Sequence, residues 1–305
     1  MLATVLFCFG LVGLWKSSDW LVDSGSRIAA YYRLSPVIIG LSLVAFGTSA
    51  PELAISILAS INQEPAIIWG NVLGSNIANT ALILGVAGMI TPLSFRSVQS
   101  NAALTYHTVV PIILSLLLIL SPTLGPLSGL ILFSVFGLFC WHLYKADKLS
   151  ESIDPPDSIT QTSLIFIASC LLLPAFAHLV TTQAINLATL LGVSSLFISL
   201  FLVSLGSSLP ELVTCVTAAY KHKPDIILGN IIGSNIFNIT LVLASGSLIT
   251  PLVYTQSLLV DISLITALPI LLYALAKTGQ SITRLYGSAF LIIYVIYIGY
   301  RYSVL

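Results

Sequence analysis

The sequence predicts an all-α membrane protein of ten transmembrane helices, arranged as two inverted repeats of five helices each. Three observations predict it: a composition too apolar for a water-exposed surface, apolar runs of membrane-crossing length along the whole chain, and an internal duplication. Of 305 residues, 57% are hydrophobic and 7% charged, and the mean hydropathy is +1.04. A soluble domain carries about a quarter charged residues, so this chain could not cover its surface in water. Runs of roughly 20 apolar residues match the hydrocarbon thickness for a helix. Segments of alternating polarity are absent, which argues against a β-barrel.

Taken in order, the apolar runs fall at 2–31, 36–61, 66–90, 98–120, 126–144, 161–190, 195–220, 225–249, 256–276 and 284–303. The first lacks the basic start of a cleavable signal peptide and leads straight into Lys16 and Asp19, so it reads as a retained span. Proline, glycine or charge punctuates each later boundary. The one markedly polar stretch carries Lys145, Asp147, Lys148, Glu151, Asp154 and Pro155-Pro156-Asp157. It reads as a solvated linker, 144–161, between an N-terminal half, 1–143, and a C-terminal half, 162–305. Cys8, Cys140, Cys170 and Cys215 all lie inside apolar runs without metal-ligand spacing, so no disulfide framework is expected.

Positive charge orients the ten spans. Arg27, Arg33, Arg96, Lys145, Lys148, Lys221, Lys223, Lys277 and Arg284 all fall in loops on one side. Only Lys16, within the first span, and Arg301, at the end of the last, depart from this. The expectation is a cytoplasmic linker with both termini outside, and the compact form suggests a prokaryotic plasma (inner) membrane. Net charge is zero, with no basic tail or patch to suggest nucleic acid.

Self-comparison is the most informative step. The stretch from Gly40, GLSLVAFGTSAPELAISILAS, aligns without a gap on SLFLVSLGSSLPELVTCVTAA from Ser199, and GNVLGSNIAN on GNIIGSNIFN. The offset is constant at 159 residues, Glu52 matching Glu211 and Asn79 matching Asn238. Because five spans separate the copies, they enter the membrane in opposite senses. Inverted repeats are an architecture of secondary transporters, with sites near the midplane on interrupted helices.

Each copy places Gly-Thr/Ser-Ser-x-Pro-Glu in mid-span. Proline removes a donor and disturbs the preceding turn, so carbonyls around Ala45 to Thr48, and around Ser204 to Ser207, are expected to lose intrahelical partners. In lipid such groups must line a cavity or bind something. Carbonyl, hydroxyl and carboxylate oxygens within one turn suit Ca²⁺ or Na⁺; without Cys or His beside them they suit zinc or copper poorly. In the following span Ser75 and Asn79 share a helix face at i, i+4, as do Ser234 and Asn238. Two such faces opposite two Pro-Glu bends would enclose a four-helix site with a formal charge of −2 from Glu52 and Glu211.

Other polar residues read as structural. Gly70, Gly74, Gly229 and Gly233 read as packing residues, Asp19 as interfacial or structural, Asp261 as snorkelling or structural, and His107 as a satisfied polar group. His178 stands where the first copy has Asp19, so the repeats are not symmetric there.

The paired GTSAPE…GNVLGSNIAN and GSSLPE…GNIIGSNIFN resemble the α-repeats of the cation/Ca²⁺ exchanger superfamily, most closely its prokaryotic sodium/calcium exchangers. The motifs cover about a third of the chain. The resemblance implies a sodium/calcium exchanger-like fold and an antiporter that uses Na⁺ influx to drive Ca²⁺ out by alternating access, with spans 1 and 6 as a sliding gate. Position by position, it implies that Glu52 and Glu211, with the carbonyls of Thr48 and Ser207, hold Ca²⁺. It also implies one sodium site at Ala45, Ser49 and Ser234 and another at Ser75, Ser204 and Ser208, with Asn79 and Asn238 facing the centre. Ca²⁺ and Na⁺ are then substrates, no cofactor is expected, and a monomer in the bilayer should suffice.

Some family members carry aspartate where this chain has Asn238, and in the potassium-dependent branch that acid accompanies K⁺ transport; asparagine argues against K⁺ dependence here. The alternative within the family is an H⁺/Ca²⁺ antiporter, and hydroxyls on all four core helices favour Na⁺ over it. An intramembrane hydrolase would need a catalytic pair or an HExxH motif, and the sequence offers neither, so no enzyme is expected. A passive channel is disfavoured by the inverted repeats.

Overall fold

The computed structural model describes residues 2–96, 102–145, 158–192 and 206–304. Its helices are α1 (Leu2–Tyr32), α2 (Pro36–Ile61), α3 (Pro65–Ile90), α4 (Ala103–Leu120), α5 (Pro126–Lys145), α6 (Ile159–Leu190), α7 (Leu209–Tyr220), α8 (Pro224–Ile249), α9 (Gln256–Lys277) and α10 (Arg284–Val304). Among the described residues, nine helices are long and apolar enough to cross a membrane, and α7 is the described part of the tenth span. Residues 146–157 of the central polar stretch and 193–205 at the start of span seven lie outside the described residues.

Local chemistry sets the helix starts. Pro36, Pro65 and Pro224 each stand in the first turn, where a missing N–H costs nothing. Ser35 and Ser158 cap their helices by accepting from the amides of Val37 and Gln161.

One expectation needs correcting. Pro51 does not interrupt α2: the helix runs through it, and the irregularity sits upstream as a π-helical segment, Gly40–Val44. That segment is a wider turn within an otherwise continuous helix. In the second repeat the break is real among the described residues. Ser207 and Ser208 form a turn, and α7 begins only at Leu209. Further π segments at Ala78–Ile83 in α3 and Asn238–Leu243 in α8 had no signal in the sequence.

The buried share of each span separates core from periphery. It is 94% for α8, 72% for α3 and 56% for α2, against 22–39% for α1, α4, α5, α6, α9 and α10. The outer helices expose Phe9, Trp15, Ile119, Leu171, Val295 and Ile296, an apolar face for lipid. α1 and α6 lie together along their lengths, where Gly13 leaves room for the Phe176 ring.

The two repeats interlock with pseudo-twofold symmetry. The third helix of each packs on the fifth helix of the other: Gly85 and Gly88 of α3 against Gly287 of α10, and Ala244 and Ser247 of α8 against Gly129 of α5. A Cβ on Gly287 would lie 2.8 Å from the Gly85 carbonyl, and one on Gly129 3.0 Å from the Ala244 carbonyl. Beyond those helices Leu93 pairs with Ile282 through bonds of 3.0 and 2.9 Å. Its counterpart is a short antiparallel ladder between β1 (Thr123–Leu124) and β2 (Leu252–Val253). Each pairing joins loops that a ten-span chain places on the same side.

Candidate functional site

The helices α2, α3, α7 and α8 meet around Glu52 and Glu211, which are 0% and 1% exposed. Glu52 projects from α2 one residue after Pro51, and Glu211 from the first turn of α7, one residue after Pro210. Ala45, Thr48 and Ser49 of α2, Ser75 and Asn79 of α3, and Ser234 and Asn238 of α8 are all buried here. Ser208 is buried and Ser207 half-buried in the turn before α7. Ser204 lies outside the described residues.

Hydrogen bonds tie the repeats together. Ser49 Oγ donates to Glu211 Oε1 at 2.9 Å. Thr48 Oγ1 reaches Asn230 Oδ1 at 3.1 Å and the Ala45 carbonyl at 3.3 Å; with one proton, it can donate to only one at a time. Asn79 Nδ2 donates to Asn235 Oδ1 at 3.1 Å, and Asn238 Nδ2 to Asn76 Oδ1 at 3.3 Å.

What remains unpaired is a pool of oxygens. Among the described residues, both carboxylate oxygens of Glu52, Oε2 of Glu211, Oδ1 of Asn79 and Asn238, and the hydroxyls of Ser75, Ser208 and Ser234 are buried without a partner. Buried polar atoms nearly always have partners, and an unpaired carboxylate in a dry interior is costly. Two acidic groups among neutral oxygens form a hard-ligand set that fits Ca²⁺ or Na⁺. Among the described residues no group of three His, Cys, Asp or Glu side chains is placed to hold a metal ion.

A cleft of about 560 Å³ leads towards this centre between α2, α3, α6 and the start of α7. Its lining includes Pro51, Asn71, Ser75, His178, Ser207 and Pro210. It lies in the half of the bundle that holds the α2–α3 loop. In the opposite half α1 is closed onto α7. Ser18 Oγ lies 2.8 Å from Thr217 Oγ1 and 3.1 Å from the Val213 carbonyl. Lys221 pairs with Asp19 at 2.5 Å and Asp23 at 2.7 Å, and Lys223 with Asp23 at 3.2 Å. Asp19 is thus one partner in an ion-pair cluster whose place in the other repeat is taken by His178.

Other polar residues have definite places too. Asp261 accepts from the Tyr297 hydroxyl at 2.6 Å and lies 3.5 Å from Arg301, a structural anchor of α9 on α10. Gly229 and Gly233 pack tightly on Val37, Gly40 and Leu41 of α2. For Gly70 and Gly74 no described residue lies within 4 Å of an added Cβ; the residues equivalent to that α2 face, 196–200, fall outside the described residues. Reading the sequence missed Asn71, Asn76, Asn230 and Asn235 as a supporting shell. Asn71 Nδ2 donates to the Glu52 carbonyl at 2.9 Å and to Ser56 Oγ at 3.0 Å. Their signal was present, since each recurs in the duplicated Gly-Asn and Gly-Ser-Asn motifs. His107 had no such signal. It was expected to be satisfied, but only Nε2 has a partner among the described residues.

Known proteins resemble this chain along most of its length. The family model described as sodium/calcium exchanger protein matches residues 2–145 and 162–303. The chain is 34% identical to a putative antiporter, CaxA, of Alkalimonas amylolytica, over 82% of each protein. It is 31% identical to the sodium/calcium exchanger MaX1 of Methanosarcina acetivorans, over 96% of this chain and 97% of that one. The solved structure of the sodium-calcium exchanger NCX_Mj, soaked with Na⁺ and Sr²⁺, superposes with a TM-score of 0.87 at 31% identity, covering 98% of both chains. With nearly all of both halves matched, the chain belongs to the sodium/calcium exchanger protein family, as a prokaryotic-type multi-pass membrane antiporter.

Proposed function

We propose that the chain exchanges Na⁺ for Ca²⁺ by alternating access, with both ions bound at the midplane between the repeats. The observation that carries this reading is the set of unpartnered buried oxygens around Glu52 and Glu211. Ca²⁺ would take both carboxylates, with carbonyls of Thr48 and Ser207. Na⁺ would use Ala45, Ser49 and Ser234 on one flank and Ser75, Ser204 and Ser208 on the other, with Asn79 and Asn238 facing the centre. A charge of −2 neutralises one Ca²⁺, or sodium ions in the flanking sites, so the ions compete for the same charge and do not bind together. That competition is what an antiporter needs. The cleft beside Ser75 and Ser207 supplies access from one side, while the α1–α7 closure blocks the other. With the positive loops inside, the cleft faces outwards, both termini are external, and the membrane is a prokaryotic plasma membrane. A monomer suffices, since both repeats lie in one chain.

The test is ⁴⁵Ca²⁺ uptake into proteoliposomes loaded with Na⁺, against vesicles loaded with K⁺ or choline, with and without a pH gradient. Uptake that requires internal Na⁺ is expected. Uptake that ignores Na⁺ and follows the pH gradient would instead assign H⁺ as the coupling ion, carried by the same glutamates.

A further inference from the structure

We propose that His107 is a positioning residue for the cation site, fixing through Asn235 which end of the Asn79 amide faces the ions. This rests on the cation-binding role proposed above for Asn79. His107, on α4, is 1% exposed. Its Nε2 lies 3.0 Å from Asn235 Nδ2, and an amide NH₂ can only donate, so Nε2 is the acceptor of that bond. The same NH₂ also donates to Thr80 Oγ1 at 2.7 Å. Both hydrogens are therefore used, and Asn235 Oδ1 is turned towards Asn79, whose Nδ2 donates to it at 3.1 Å. Asn79 Oδ1 is left as the free end, buried and unpartnered among the described residues. With Nε2 as the acceptor, every link has one direction. An acceptor at His107 makes Asn79 present an oxygen, where the reversed chain would present an NH₂ that repels a cation.

The second repeat provides an internal comparison. Asn238 Nδ2 donates to Asn76 Oδ1 at 3.3 Å, the counterpart of the Asn79–Asn235 link. Pro111-Ile-Ile-Leu of α4 and Pro269-Ile-Leu-Leu of α9 mark equivalent turns, which puts Ile265 where His107 stands. Ile265 lines the same small cavity as Asn76, Asn235 and His107, of about 10 Å³, but offers no acceptor. Accordingly Asn76 Nδ2 has no partner among the described residues. Only the first repeat's amide chain is anchored, which makes its cation-facing oxygen the better fixed of the two.

Cation-dependent thermal stabilisation of the purified protein tests this, because ligand binding to the folded state raises the melting temperature whether or not transport is coupled. Ca²⁺ and Na⁺ are titrated separately against wild type, His107→Leu, which removes the acceptor at similar size, and His107→Gln, which restores one. His107→Leu is expected to raise the half-maximal cation concentration roughly tenfold, the order that loss of one hydrogen bond gives. His107→Gln should return it to within about threefold of wild type. The proposal is overturned if His107→Leu leaves the midpoints unchanged while lowering the cation-free melting temperature, or if His107→Gln binds as weakly as His107→Leu. Failure of exchange in proteoliposomes with these midpoints intact would strike the transport reading alone.

Discussion

Ser49 Oγ of α2 donates to Glu211 Oε1 of α7 at 2.9 Å, whereas its counterpart Ser208 has no hydroxyl partner among the described residues. The carboxylate of one repeat is thus held by the other, while both oxygens of Glu52 lack a hydrogen-bond partner among the described residues. The site is asymmetric despite its duplicated sequence, and three of its four carboxylate oxygens remain available to a cation.

Glu52→Gln and Glu211→Gln should each reduce ⁴⁵Ca²⁺ exchange by roughly a hundredfold or more, because each removes half of the site's charge. The same isosteric changes should leave the cation-free melting temperature unchanged or higher, since an unpaired buried charge is costly to the fold. Flux and thermal unfolding on the same preparations check both. Normal exchange by either variant would remove the two glutamates from the site.

Asn238→Asp adds a third carboxylate to this centre. Asn238 now donates to Asn76 Oδ1 at 3.3 Å, and an ionised aspartate could only oppose that oxygen. The extra charge is expected to change the Na⁺, K⁺ or pH dependence of exchange more than it changes expression. Identical ion dependence would place the residue away from the transported ions.

Much of this site was legible because duplication marks it twice. The Pro-Glu and Gly-Ser-Asn motifs pointed to the four helices and both glutamates from spacing, while the supporting asparagines, though duplicated, were missed. Pro51 suggested an interruption, but α2 continues through it, because a proline costs a helix one hydrogen bond without forcing it to end. The π segments at Ala78–Ile83 and Asn238–Leu243 had no proline or other local signal to mark them. His107 read only as a satisfied polar group because its one partner among the described residues, Asn235, lies 128 positions away and its counterpart Ile265 carries no polar side-chain atom.

The ion-pair cluster on the closed side should govern opening more than stability. Burial pulls the Lys221 pKa down, but hydrogen bonds to Asp19 and Asp23 outweigh it and leave it above its ordinary value. A raised lysine value means that the pairing contributes in full at neutral pH and is lost only as pH rises past the ordinary lysine value of 10.5. The side chains are a quarter to a half exposed, so each pair contributes about 0.5 kcal/mol. Lys221→Met should therefore lower the melting temperature by only a few degrees. It should also increase the labelling of a Ser18→Cys probe from the side of the central linker. Labelling equal to that of the parent probe would show that apolar packing alone keeps α1 on α7.

A close backbone contact between the repeats offers a sharper test of how α8 is held. A Cβ on Gly229 would lie 2.7 Å from the Val37 carbonyl and 2.9 Å from the Gly40 Cα, both backbone atoms with no rotamer to move. α8 is the most buried of the nine described spans, at 94%, so it has little freedom to retreat. Gly229→Ala should cost about 1–3 kcal/mol as overpacking and displace α2 from α8. Because α2 carries Thr48, Ser49 and Glu52, Ca²⁺ exchange should fall together with the melting temperature. Gly137 of α5 is the control: it is exposed, with nothing within 4 Å of an added Cβ among the described residues. There Gly137→Ala removes only backbone freedom, and its effect should be neutral or slightly stabilising. Equal melting temperatures for the two variants would mean that α2 and α8 part easily, and that the glycine contact does not set the spacing of the site.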